Sequence, residues 1–278
     1  MKKITVITGG YGGMGKAIAR ELGKDSALVL AGRNEKKLAE VKAQLEETGY
    51  EVYPFVLDIT DEKSMTELAA YAASLGEVKN VIHTAGVSPT NTHTDMIFKV
   101  NALGTLYAVK AFYPVIAEGG VMINFGSVAA YTMEQDPAWT EVFQQWNEPD
   151  FYDKLIELVK PFNFDEFVMD GTAYVISKRF TMYFSQMNVK RFADKGARIL
   201  SVSPGSYLTP MHQNLIDNQP DTAEDQLELI PCRRWGHPYE IAALIAFLCS
   251  PGAAFIAGTD ILADGGQNAN TFIDQVES

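Results

Sequence analysis

A short apolar run leads directly into a cluster of glycines in the stretch Ile4-Thr5-Val6-Ile7-Thr8-Gly9-Gly10-Tyr11-Gly12-Gly13-Met14-Gly15. An amphipathic pattern follows over 13–23. Glycines between a strand and a helix let the backbone turn sharply and approach a pyrophosphate. The helix then directs its free N–H groups at the anion. The stretch therefore predicts a dinucleotide site at the first strand–helix junction, with a merely flexible loop as the alternative.

Short apolar runs alternate with helical patterns along the rest of the chain. Strands are predicted over 4–8, 27–31, 52–57, 80–84, 121–125 and 198–202. Helices are predicted over 13–23, 35–49, 61–75, 96–116, 172–193 and 238–248. The strands are mostly apolar on both faces, which is typical of a parallel sheet covered by helices. We expect an α/β fold with a doubly wound parallel sheet, in one domain over 1–278.

Composition excludes several classes of protein. The 278 residues include 35 Asp plus Glu against 23 Lys plus Arg, a net charge of −12, so a nucleic-acid partner is not expected. A hydrophobic content of 47% argues against a disordered chain. Two cysteines, Cys232 and Cys249, are too few for a disulfide framework or a zinc site. With no membrane span and no leader pattern, we expect a cytoplasmic protein without a metal.

Further motifs follow the glycines in an order that resembles the short-chain dehydrogenase/reductase family, in its shorter single-domain branch. They are Thr8-Gly9-x3-Gly13-x-Gly15, Asp58-Ile59, His83-Thr84-Ala85-Gly86, Val100-Asn101-x2-Gly104, Asn124-Phe125-Gly126-Ser127, Tyr174-x3-Lys178, Pro204-Gly205 with Thr209, Arg234-x-Gly236-x-Pro238 and Asp264-Gly265-Gly266. The resemblance covers nearly the whole chain. It implies a Rossmann-type oxidoreductase that moves a hydride between a nicotinamide cofactor and the carbonyl or secondary alcohol of a small, mainly apolar molecule.

The predicted catalytic residues are Asn101, Ser127, Tyr174 and Lys178. Tyr174 and Lys178 are four apart, so both lie on one face of a helix. A lysine ammonium one turn away, helped by a positively charged nicotinamide ring, favours the phenolate and lowers a tyrosine pKa from its ordinary value near 10. Tyr174 can then act as general acid or base. Ser127, at the end of a central strand, would stabilise charge on the substrate oxygen. By resemblance, Asn101 holds a water that links Lys178 to solvent.

Each of these residues alone has an ordinary interpretation as a solvated helix face, a turn serine or a helix cap. Their joint occurrence after a dinucleotide loop favours catalysis. The competing hypothesis is a redox sensor that binds the nicotinamide nucleotide without turnover. The complete Ser-Tyr-Lys-Asn set disfavours it, because a sensor does not need the phenol.

The predicted cofactor residues follow the family motifs. They are Thr8, Gly9, Gly13, Met14, Gly15, Arg33, Asp58, Ile59, Ala85, Gly86, Tyr174, Lys178, Pro204, Gly205 and Thr209. The second strand ends Ala31-Gly32-Arg33-Asn34, with no carboxylate at its tip to bind a ribose 2′-hydroxyl. The planar guanidinium of Arg33 suits a 2′-phosphate, so NADP(H) is the expected cofactor, with NAD as the alternative.

The chain departs from the family pattern by an insertion over 132–169, which puts 46 residues between Ser127 and Tyr174. A helix is predicted over 151–160. The insertion contains eight aromatic residues: Trp139, Phe143, Trp146, Phe151, Tyr152, Phe162, Phe164 and Phe167. These rings either wall an apolar substrate pocket or build a small core of their own. By resemblance, such an insertion can block the helix pair through which relatives tetramerise, so we expect an altered or smaller homo-oligomer.

Two further expectations concern the substrate side. A second candidate lid is the substrate loop over 212–230, with Tyr207, Met211 and His212 near its entrance as substrate contacts. The two segments, 132–169 and 212–230, together carry the whole negative charge of the chain. This acidity is either solvated lid surface or a rim that repels anionic substrates. His83, where relatives more often have asparagine, is expected to be a hydrogen-bonded core histidine.

Overall fold

A computed structural model describes residues 1–90, 92–218 and 220–270. Seven parallel strands form one sheet in the order β3-β2-β1-β4-β5-β6-β7. The strands are β1 (Lys3–Thr8), β2 (Ala27–Gly32), β3 (Val52–Val56), β4 (Glu77–His83), β5 (Ile116–Phe125), β6 (Arg198–Pro204) and β7 (Asp260–Ala263). The order reverses between β1 and β4, which opens a crevice at the carboxyl ends of these strands. The predicted doubly wound α/β fold is confirmed.

Helices cover both faces of the sheet. They are α1 (Gly13–Leu22), α2 (Glu35–Glu46), α3 (Glu62–Leu75), α4 (Thr94–Ile97), α5 (Gly104–Phe112), α6 (Pro137–Phe143), α7 (Phe151–Val159), α8 (Glu166–Met187), α9 (Val189–Ala193), α10 (Pro210–Asn218), α11 (Pro220–Glu228) and α12 (Pro238–Cys249). A π-helical turn, Phe98–Leu103, joins α4 to α5. One core packs α1, α2 and α12 against the sheet, and the other packs α3, α5 and α8. None of the helices described is both long and apolar enough to cross a bilayer.

The helix predicted over 96–116 is wrong at its carboxyl end. Helix α5 ends at Phe112, and β5 already begins at Ile116, which pairs with Val78 of β4. Pro114 lies between them and cannot continue an α-helix, since it has no N–H to donate. Strand β7 was not predicted at all. With four partly buried residues at the sheet edge, it is too short for a periodic pattern to indicate it.

The insertion folds into helices α6 and α7, and α7 confirms the helix predicted over 151–160. Helix α8 begins at Glu166, six residues before its predicted start at Thr172. Asp165 caps this earlier start, because its carboxylate accepts a hydrogen bond of 3.1 Å from the N–H of Val168. The end of the insertion is therefore the beginning of the helix that carries Tyr174.

The buried aromatic residues of the insertion pack on α8. The ring centroid of Phe151 lies 5.1 Å from that of Phe180, and Phe143 lies 5.3 Å from the same ring. Trp146 packs edge-on against Phe184, with the ring centroids 5.2 Å apart. The small core predicted for the insertion is thus shared with α8. All nine acidic residues of 132–169 are exposed, so its charge faces solvent.

Candidate active site

The glycine-rich loop closes tightly over the end of β1. Gly9 has φ +71°, and a Cβ on it would lie 2.9 Å from Oγ1 of Thr84. A Cβ on Gly15 would lie 2.3 Å from the carbonyl oxygen of Gly9, so no side chain fits there. Gly12 precedes α1 without a capping side chain, which leaves the first-turn N–H groups available to an anion. These features fit the pyrophosphate of a dinucleotide.

Hydroxyl groups connect this loop to the end of β4. Oγ1 of Thr8 lies 3.0 Å from Nδ1 of His83 and accepts a 3.3 Å hydrogen bond from the N–H of Ala85. Oγ1 of Thr84 donates to the carbonyl oxygen of Thr8 at 2.6 Å. Thr84 is not among the predicted cofactor residues, although its place in the family motif could have indicated a role in this connection.

His83 is buried and electrically neutral. Burial, together with the positive charge of Lys178, lowers the pKa of His83 to about 3. Its Nδ1 is bonded to Thr8, as expected of a core histidine. Its Nε2, however, has no hydrogen-bond partner among the residues that the structure describes. The expectation of a fully bonded histidine is therefore met at one ring nitrogen only.

Arg33 and Asp58 follow the neighbouring strands β2 and β3. Arg33 is exposed. The carboxylate of Asp58 accepts hydrogen bonds from the N–H and the hydroxyl of Thr60, at 2.9 and 2.7 Å, and these bonds, with a smaller effect of the Arg33 charge, lower its pKa. The side chain of Ile59 points inward, where a Cβ on Gly104 would lie 2.8 Å from its Cγ1. The exposed guanidinium of Arg33 is accessible to a ligand at the carboxyl end of β2.

The segment after β6 approaches the glycine-rich loop. A Cβ on Gly13 would lie 2.9 Å from Cβ of Thr209, so these two predicted cofactor residues are neighbours. Pro204 ends β6, and Gly205, which follows it, packs closely on Asp264. Met14, in the first turn of α1, is half-buried and packs against the core.

Two residues predicted as substrate contacts, Tyr207 and His212, pack beside the segment that precedes α12. The ring of Tyr207 is buried against Gly236, where a Cβ would lie 2.7 Å from it, and its contact with a substrate stays a prediction. His212 is half-buried and packs edge-on against Trp235, with the ring centroids 4.2 Å apart. The side chain of Met211 lies outside the described residues.

Ser127 and Tyr174 meet beside β5. Ser127 follows β5 in extended conformation, and its Oγ accepts a 3.2 Å hydrogen bond from the N–H of Ala129. Burial raises the pKa of Tyr174 and the Ser127 hydroxyl lowers it in part, so in the chain by itself this pKa lies above its ordinary value, opposite to the predicted direction. Nζ of Lys178 lies 5.7 Å from the centroid of the Tyr174 ring. Two hydroxyl groups beside a cation can bind a substrate oxygen and give it a proton.

Lys178 is only 6% exposed, and its Nζ donates a 2.9 Å hydrogen bond to the carbonyl oxygen of Phe125. Burial lowers the pKa of Lys178 to about 8. The amide of Asn101, on the π-helical turn, bonds both backbone groups of Val87, at 2.9 and 3.1 Å. A Cβ on Gly86 would lie 3.2 Å from Oδ1 of Asn101 and 3.4 Å from Nζ of Lys178. Asn101 and Lys178 therefore converge at Gly86.

Known proteins resemble the chain over nearly its whole length. A family model described as short chain dehydrogenase matches residues 3–139, and one described as enoyl-(acyl carrier protein) reductase matches 165–268. The short-chain dehydrogenase/reductase bsc3 of Alternaria brassicicola is 33% identical, with 96% of each chain covered. The chain belongs to the short-chain dehydrogenase/reductase family. It is accordingly an oxidoreductase that binds a nicotinamide cofactor and acts on CH–OH or C=O groups.

Other short-chain dehydrogenases/reductases agree with this assignment. A diacetyl reductase, (S)-acetoin forming, of Staphylococcus epidermidis is 28% identical, with 96% of this chain and 98% of the relative covered. The fold matches that of a short-chain type dehydrogenase/reductase from Mycobacterium ulcerans with a TM-score of 0.78, at 22% identity, over 96% of this chain and 90% of the other. The residues between the two family-model matches, 140–164, belong to the insertion.

The neutral state of His83 predicts a pH-dependent stability. Its folded-state pKa of about 3 lies below the unfolded value, so the unfolded chain binds the extra proton and stability is lost as the pH falls from 6.5 toward 3. Replacing His83→Asn should therefore reduce the loss of unfolding free energy between pH 7.5 and pH 5 by about 2 kcal/mol. Urea denaturation at the two pH values measures this difference.

The matched control is His237→Asn, which changes an exposed histidine at the start of α12 and should retain the pH dependence of the parent chain. If the parent chain and His83→Asn lose the same unfolding free energy between the two pH values, His83 is not the group that titrates on unfolding.

Proposed function

We propose that this chain moves a hydride between NADP(H) and the carbonyl or secondary alcohol of a small, mainly apolar molecule. The observation that carries the proposal is the close approach of the Ser127 and Tyr174 hydroxyl groups beside the buried ammonium of Lys178. Carbonyl reduction develops negative charge on an oxygen, and preoriented hydroxyl groups in a site with little water stabilise that charge. A relative named for the reduction of diacetyl, a small uncharged diketone, supports this substrate class.

In this proposal a bound nicotinamide supplies or accepts the hydride. The Ser127 hydroxyl donates a hydrogen bond to the substrate oxygen and holds it beside the phenol. Tyr174, kept protonated by the burial that raises its pKa, gives its proton to that oxygen during reduction. The Lys178 ammonium stabilises the phenolate that remains. Asn101 holds the backbone at Val87 next to Gly86, where a water could return a proton to Lys178.

The cofactor assignment depends on Arg33. It is an exposed guanidinium at the carboxyl end of β2, near Asp58, in the position where an NAD-binding chain would place a carboxylate. A carboxylate there would repel a 2′-phosphate, whereas a guanidinium can bond it through two N–H groups. We therefore infer that NADP(H) is preferred over NAD(H).

Removing the phenol tests the chemistry. Tyr174→Phe should lower kcat for any ketone that the parent chain reduces by about 10²- to 10⁴-fold, because the proton donor is lost. NADPH consumption over a panel of ketones, diketones, aldehydes and steroids identifies the substrates, and fluorescence titration should show nearly unchanged NADPH binding. Tyr183→Phe is the matched control, since it removes a hydroxyl further along α8 and keeps the ring that packs on Phe143. A Tyr174→Phe variant that keeps most of its activity would refute the mechanism.

Removing the guanidinium tests the cofactor. Arg33→Ala should raise the KM for NADPH by about 10- to 100-fold, the effect of losing a charged hydrogen bond, and change that for NADH little. Lys24→Ala removes one positive charge near the amino end of β2, whereas Arg33 follows its carboxyl end, and should change neither constant. A parent chain with a lower KM for NADH than for NADPH would overturn the assignment.

We also infer that the insertion prevents tetramer formation through α5 and α8. Phe180 and Phe184 of α8 are already covered by Phe143, Trp146 and Phe151 from the same chain. A face buried within one chain cannot also bury itself against a second copy.

The expected oligomer is therefore one in which α5 and α8 do not form a contact between subunits. Small-angle scattering on the protein as it elutes from a sizing column gives the particle mass and shape. A tetramer whose scattering requires α5 and α8 at a subunit contact would contradict the inference, whereas a monomer, or a dimer formed elsewhere, would agree with it.

A further inference from the structure

A buried carboxylate of α8 faces a histidine and a second carboxylate. Asp170 is only 4% exposed, and its Oδ1 accepts hydrogen bonds from the N–H and the hydroxyl of Thr94, each at 2.7 Å. Its Oδ2 lies 3.0 Å from Nδ1 of His93, and Oε1 of Glu166 lies 3.3 Å from the same nitrogen. One nitrogen and two oxygens that can bind a metal ion therefore lie within 4.8 Å of one another.

The distances between these atoms suit coordination of a metal ion. Zn²⁺ binds imidazole nitrogen and carboxylate oxygen at about 2.0–2.2 Å, so neighbouring ligand atoms of a tetrahedral site lie about 3.3 Å apart. The two distances from Nδ1 of His93 are close to this value. An imidazole among the ligands favours a divalent transition metal over Mg²⁺ or Ca²⁺, which take oxygen ligands. A hydrogen-bonded ion pair would show similar distances, so charge has to distinguish the two interpretations.

The cluster has more negative than positive charge of its own. Asp170 and Glu166 both have His93 as their ion-pair partner, and within the described part of the chain neither pairs with a lysine or an arginine. Two carboxylates and one imidazole leave one negative charge unbalanced when the imidazole is protonated, and two when it is neutral. A buried carboxylate is normally paired or bound to a metal. A divalent cation beside a neutral imidazole would balance both charges.

The surroundings orient the three side chains. The two hydrogen bonds from Thr94 hold one oxygen of Asp170 and leave the other directed at His93, as hydrogen bonds commonly orient a carboxylate that binds a metal. Glu166 and Asp170 are four apart in α8, so they lie on one face of the helix. His93 and Glu166 are mostly exposed, so water can reach the remaining coordination position of an ion.

We propose that His93, Glu166 and Asp170 bind one divalent transition-metal ion, with Zn²⁺ the ion that best suits this set. The ion would join the residue before α4 to the first turns of α8 and so connect the two helices that lead to Asn101 and to Tyr174. No step of the proposed reaction uses it, so the inference is independent of the proposed function. The sequence gave no ligand spacing that indicates such a site, because His93 and Asp170 are 77 residues apart.

Calorimetric titration with ZnCl₂ tests the site on the full chain, freed of metal with a chelator and carrying no affinity tag. The parent chain should bind one Zn²⁺ with a Kd of about 10 µM or lower. His93→Gln and Glu166→Gln change exposed side chains and should weaken binding by about 10- to 100-fold or more, because even the loss of a group that only orients a ligand costs this much. Asp170→Asn should weaken it similarly.

Two control variants separate this site from other places where Zn²⁺ can bind. His237→Gln removes another exposed imidazole, at the start of α12, and Cys232→Ser removes an exposed thiol. Both should keep the affinity of the parent chain.

Thermal denaturation provides a second readout that does not need turnover. Zn²⁺ at about 100 times its Kd should raise the Tm of the parent chain and of both controls, since a ligand of the folded state stabilises it. At the same concentration it should raise the Tm of His93→Gln much less. A parent chain that binds Zn²⁺ only in the millimolar range would overturn the proposal and leave an ion pair. Parent-like affinity in His93→Gln, or its loss in Cys232→Ser, would also overturn it.

Discussion

The buried ammonium of Lys178 is the interaction on which the arrangement of the site depends. An ammonium removed from water is costly unless it is hydrogen-bonded, and here the carbonyl oxygen of Phe125 at the end of β5 accepts that bond. This hydrogen bond fixes the height at which α8 crosses the carboxyl end of β5. Tyr174, one turn before Lys178, then reaches Ser127, which is two residues beyond Phe125. The pairing of the two hydroxyl groups follows from the position of the lysine.

The same buried charge limits what its neighbours can carry. The pKa of His83 is lowered mainly by its own burial and further by the positive charge of Lys178, which repels a second cation without water to screen it. Burial also brings the pKa of Lys178 down to about 8, so the ammonium can release a proton more readily than an exposed lysine. Lys178 thus places a positive charge that can be given up as a proton beside the ring of Tyr174.

The insertion supports this arrangement from the outer side of α8. Its rings pack on Phe180 and Phe184, which lie within two turns of Lys178 on the same helix. Close-packed aromatic contacts resist sliding of the helix, because a shift opens gaps that lose contact energy. The acidic residues of the insertion all face solvent, so its charge does not enter this packing. An element that looks like an appendage in the sequence therefore stiffens the helix of the candidate catalytic residues.

Local sequence patterns were sufficient for six of the seven strands, the glycine-rich loop and the spacing of Tyr174 and Lys178. Each of these depends on residues close together in the chain or on a repeating period. The carboxyl end of α5 and the start of β5 were not predictable in this way, since Ile116 joins β5 only through its pairing with Val78. Strand β7 likewise exists only as an edge added to β6.

The contacts that surround the site were decided by the tertiary structure. Asp170 and Thr94 are 76 residues apart, and the sequence contains nothing that pairs them. The aromatic residues of the insertion were visible as a group, but the sequence could not show whether they met one another, a substrate or α8. Hydrophobic periodicity indicates which face of an element is buried and leaves its partner unspecified. The sequence therefore determined the fold and the chemical groups, and packing between distant faces determined which of those groups meet.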